Sequence, residues 1–111
     1  MKNRNESTGE VPIACSLTAV EARERVERWT RLAHDAKTAS ATRGDSVEAT
    51  FRNDSTVRHE LVELVAAERQ CCAFLTFDLR ETDAGLVLTI SAPRAEAKAD
   101  LELLASSLGI A

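Results

Sequence analysis

From Val57 to Leu75 the apolar side chains recur at helical spacing: Val57, Leu61, Leu64, Val65, then Glu68, then Cys71 or Cys72, then Leu75. Residues three and four apart share one face of an α-helix, and an apolar face of that length must be buried against another layer. The stripe carries a carboxylate in its middle. Whatever covers it must give Glu68 a partner, which can be an arginine or other cation, a metal, or a thiol whose proton it accepts. On both sides the period switches to two. Val47, Ala49 and Phe51 alternate with Glu48, Thr50 and Arg52 after the turn signal Gly44-Asp45. Phe77, Leu79 and Glu81 alternate in the same way, Thr82-Asp-Ala-Gly85 makes a turn, and Leu86, Leu88 and Ile90 continue as the second arm of a hairpin. A chain that alternates between these periods folds as helices laid on a sheet.

The remaining segments complete the pattern. Val11 to Leu17 reads as a short strand with Ile13, Cys15 and Leu17 on one side. Thr18-Ala-Val-Glu21 is a capping box that opens a helix whose inward stripe is Ala22, Val26, Trp29 and Ala33, with its Arg and Glu residues on a solvated face. Asn53-Asp-Ser-Thr56 ends a strand and offers several caps for the 57–75 helix. Pro93 opens a last helix carrying Ala97, Leu101, Leu104 and Leu108, closed by Gly109. The expected order is βαβαββα. This is an α+β chain, a small two-layer sandwich with a mostly antiparallel sheet and helices on one face, a variant of the ferredoxin-like architecture. Residues 1–10 read as a polar, disordered tail and residues 11–111 as one domain with one core.

Composition narrows the function. With 18 acidic against 14 basic residues the net charge is −4. Binding nucleic acid directly needs a basic face, and the arginines here are interleaved with glutamates. No apolar run approaches the ~20 residues that span a bilayer, so no membrane partner is expected. The polar start is not a secretory signal, which points to a reducing, cytoplasmic setting. Three cysteines, an odd number, suit free thiols better than a disulfide framework. No glycine-rich phosphate loop, Cys-x-x-Cys, His-Glu-x-x-His or serine nucleophile elbow occurs, so no organic cofactor is expected. His34 and His59 read as surface residues, Trp29 as core and Asp78 as solvated.

That leaves the thiols. Adjacent cysteines on a helix project about 100° apart, so the sulfurs of Cys71 and Cys72 can converge on one large, soft ion. Cys15, on the same side of its strand as Ile13 and Leu17, is the candidate third ligand. Three thiolates in a trigonal set suit trivalent arsenic or mercury better than zinc, which takes a fourth ligand. Glu68, three residues before Cys71 and four before Cys72, shares their face and would act as outer-sphere base or partner. Arg69 neighbours the pair but points elsewhere on the helix. Two other readings stay open. Cys71, Cys72 and Glu68 could form a thiol-dependent enzyme that cleaves organometals or exchanges disulfides. The cysteines could equally be core filler in a structural or interaction domain, since free Cys packs as a small hydrophobe.

The stretch Ala67-Glu-Arg-Gln-Cys-Cys-Ala-Phe-Leu-Thr-Phe77, the hairpin arm Leu86–Ile90 followed by Ala-Pro93, and the opening Pro12-Ile-Ala-Cys-Ser-Leu-Thr18 together resemble a family of small bacterial proteins. Its pattern is I-x-C-x-L-T followed by E-R-x-C-C-x-F-L-x-F. Members occur alone or joined to mercury-regulator (MerR) type DNA-binding domains, often in a heavy-metal-resistance setting. The resemblance puts Cys15, Glu68, Cys71 and Cys72 on the motif positions and implies a soft-metal thiol site in heavy-metal handling. This chain lacks the helix-turn-helix of the joined members, and a homodimer is an arrangement that so small a sheet domain admits.

Overall fold

The computed structural model describes residues 19–71 and 74–110. Helix α1 (Ala19–Ala36) leads into a hairpin of β1 (Lys37–Arg43) and β2 (Ser46–Phe51). Helix α2 (Ser55–Cys71) then crosses to a second hairpin, β3 (Thr76–Thr82) and β4 (Gly85–Ser91), and a 3-10 turn (Ala95–Ala97) runs into α3 (Lys98–Ser107). Among the described residues these four strands form one antiparallel sheet in the order β1-β2-β4-β3. β2 and β3 are both antiparallel to β4 and therefore parallel to each other. With α2 as their crossover and β4 inserted between them, they make the split β-α-β unit of ferredoxin-like sheets.

The α+β class is as the periodicities led us to expect. From residue 19 onward the expected elements appear in the expected order, with one strand added: β1. The expected strand 11–17, the cap at Thr18 and the tail 1–10 lie outside the described residues. β1 escapes sequence reading because it has no buried face to impose an apolar alternation. Lys37-Thr-Ala-Ser-Ala-Thr-Arg43 is exposed or half-exposed throughout.

Local chemistry sets the ends. Of the four candidate caps before α2, Asp54 takes the role, its Oδ1 accepting the Val57 amide at 2.9 Å. Gly85 sits at φ +134, and a Cβ there would collide with the Phe51 carbonyl oxygen, so only glycine fits where the second hairpin passes β2. Gly109 closes α3 at φ +73, where the Ile110 amide donates to Ala105 O at 2.9 Å and the Gly109 amide to Ser106 O at 3.0 Å, a Schellman ending. Pro93 precedes the 3-10 turn, and α3 itself begins only at Lys98.

The core lies between the sheet and the helices, with Trp29, Phe51, Leu61, Leu64, Leu88, Ile90 and Leu108 fully buried. Each aliphatic or aromatic side chain so buried contributes on the order of 1.5–3 kcal/mol relative to exposure. One expectation fails here. In α1, Trp29 and Ala33 are buried with Leu32 and Ala36, but Ala22 and Val26 are exposed. A helix of 18 residues is about 27 Å long, whereas strands of six or seven residues span about 20–23 Å. The difference of about 4–7 Å is roughly one helical turn, so the start of α1 extends past the sheet.

Candidate functional site

α2 carries most of the candidate residues. Its inward face of Val57, Leu61, Leu64, Val65 and Glu68 is buried as expected. Glu68 is the one buried charged residue among those described, at 8% exposure.

Its partners come from α1. Trp29 Nε1–H donates to Glu68 Oε2 at 2.9 Å, and Arg25 Nη1 stands 3.3 Å from the same oxygen. Arg25 and Trp29 are four residues apart, so one face of α1 presents both. The Arg25 side chain is only 15% exposed. Its Nη1 is buried without an aligned hydrogen bond, so the contact with Glu68 is ionic. In such surroundings each charge depends on the other, because losing one leaves its partner desolvated and unpaired.

Further ion pairs fix how the helices run. Arg28 Nε and Nη2 donate to the two oxygens of Glu60 at 3.0 and 2.8 Å, and Nη2 also reaches Glu63 at 3.3 Å. The Arg28 hydrogen bonds hold the Glu60 carboxyl below the usual carboxylate range. Numbers that rise along α1, 25 to 28, meet numbers that fall along α2, 68 to 63 and 60, so the two helices are antiparallel. The start of α1 therefore lies beside the end of α2.

At that end Arg69 Nη2 donates to Phe77 O at 2.7 Å and ties the last turn of α2 to β3. A guanidinium beside the carbonyl end of a helix also offsets the negative end of its dipole. The chain has left the helix by Phe74, which is 37% exposed. Cys71 is the last described residue of α2, while Cys15, Cys72 and the side chain of Cys71 lie outside the description. Among the described residues no three His, Cys, Asp or Glu are grouped to hold a metal ion.

The weaker candidates fall where expected. His59 is 75% exposed beside Glu63, His34 is exposed in the last turn of α1, and Asp78 is exposed beside Arg80. What the sequence reading missed is Arg25, placed there on a solvated face with the other arginines of α1. The signal was available: Arg25 is one turn before the core Trp29, on the same side of the helix. No family model matches the chain, and no curated protein or solved structure matches it.

Proposed function

We propose that the chain binds a soft thiophilic ion, trivalent arsenic or mercury, through Cys15, Cys71 and Cys72. It would act in heavy-metal handling as a scavenger, a carrier or a sensing module. The observation that carries this reading is the antiparallel pairing of α1 with α2. It sets the start of α1 beside the end of α2, and Cys15 is only four residues before Ala19. Four residues reach at most about 14 Å, so the chain itself keeps the third thiol within that distance of the start of α1. Cys71 closes α2 and Cys72 follows it directly in sequence, so the two thiols are neighbours along the chain. Glu68 sits one turn before Cys71 as an outer-sphere group already held by Arg25 and Trp29. The likeness to the Cys-Cys motif family agrees with this assignment. A reducing, cytoplasmic setting would keep the three thiols free.

The test is a titration of reduced protein with Hg(II), As(III), Zn(II) and Cu(I), followed by native mass spectrometry and a free-thiol count. One ion per chain at submicromolar affinity, lost in Cys71→Ser and in Cys72→Ser and weakened in Cys15→Ser, is the expected result. Unchanged affinity in the serine variants would remove the site. Slow thiol labelling until the protein unfolds, with no ion bound, would make the cysteines core filler. Turnover of an organomercurial by the same thiols would instead mark an enzyme.

A further inference from the structure

We draw no further inference here: the strongest candidate, the cleft of about 580 Å³ between the exposed strand β1 and α3, carries nothing, because its lining charges, Lys98 and Glu102, cancel and nothing in the structure shows what covers it.

Discussion

Replacing Glu68 by Leu takes away the acceptor of the Trp29 indole and the counter-charge of Arg25 in one step. Removing one partner of a buried ion pair costs about 3–5 kcal/mol when the other charge is trapped. Arg25 keeps 15% of its side chain exposed and can turn partly to solvent, which reduces this term to about 2 kcal/mol on the same scale. An indole N–H left without an acceptor adds about 1 kcal/mol. The single variant should therefore lose about 3 kcal/mol, a large share of the ~5–15 kcal/mol expected of a domain this size. Adding Arg25→Met removes the stranded charge and fills its place with an apolar chain. The double variant should recover to within about 1 kcal/mol of wild type, about 2 kcal/mol more stable than the single variant. Urea denaturation reads this directly. The chain has one tryptophan, so Trp29 fluorescence and far-ultraviolet circular dichroism report the same transition. At a slope of about 1 kcal/mol/M, the single variant's midpoint falls by about 3 M. A loss below about 0.5 kcal/mol, or a double variant less stable than the single one, would refute the claim that this pair ties α1 to α2.

Three further outcomes follow from particular contacts. Gly85→Ala should cost at least about 2 kcal/mol in thermal melts, since the residue combines φ +134 with a collision against Phe51 O. The Asp54 carboxyl is held below its ordinary pKa, first by the Val57 amide and then by Arg52. A lowered acid stabilises the fold above its unfolded pKa, and the gain is lost as pH falls through the folded one. Melting temperature between pH 6 and 2 should therefore decline less steeply in Asp54→Asn, which keeps the cap without the charge. Asp100 is the opposite case: burial pushes its carboxyl up, and among the described residues Oδ2 has no hydrogen-bond partner. Its ionised form disfavours folding above the raised pKa, so Asp100→Asn should melt higher than wild type at pH 7, with the difference vanishing as pH falls below the ordinary carboxylate range.

Much of the fold was legible because a buried face leaves a period in the sequence. α2, β2, the β3–β4 hairpin and α3 each have one face in the core, and each shows the spacing that puts apolar residues there. β1 has no such face and left no period. The first half of α1 failed in the reverse sense. Its helical spacing is correct, but spacing alone does not say how far a helix extends past the sheet that would cover it, so Ala22 and Val26 read as core while lying exposed.

The same division runs through the candidate site. That Glu68 needs a partner was determined by the sequence alone, because a carboxylate inside an apolar stripe is desolvated wherever the helix packs. So was the proximity of Cys71 to Glu68, a local matter of helical geometry. Which groups satisfy Glu68 was decided only in three dimensions. Arg25 and Trp29 precede it by 43 and 39 residues, and no local rule links positions so distant. Helix direction, strand order and the cleft beside β1 are likewise tertiary. They depend on which faces meet after the chain collapses, and on where the helix layer ends over the sheet.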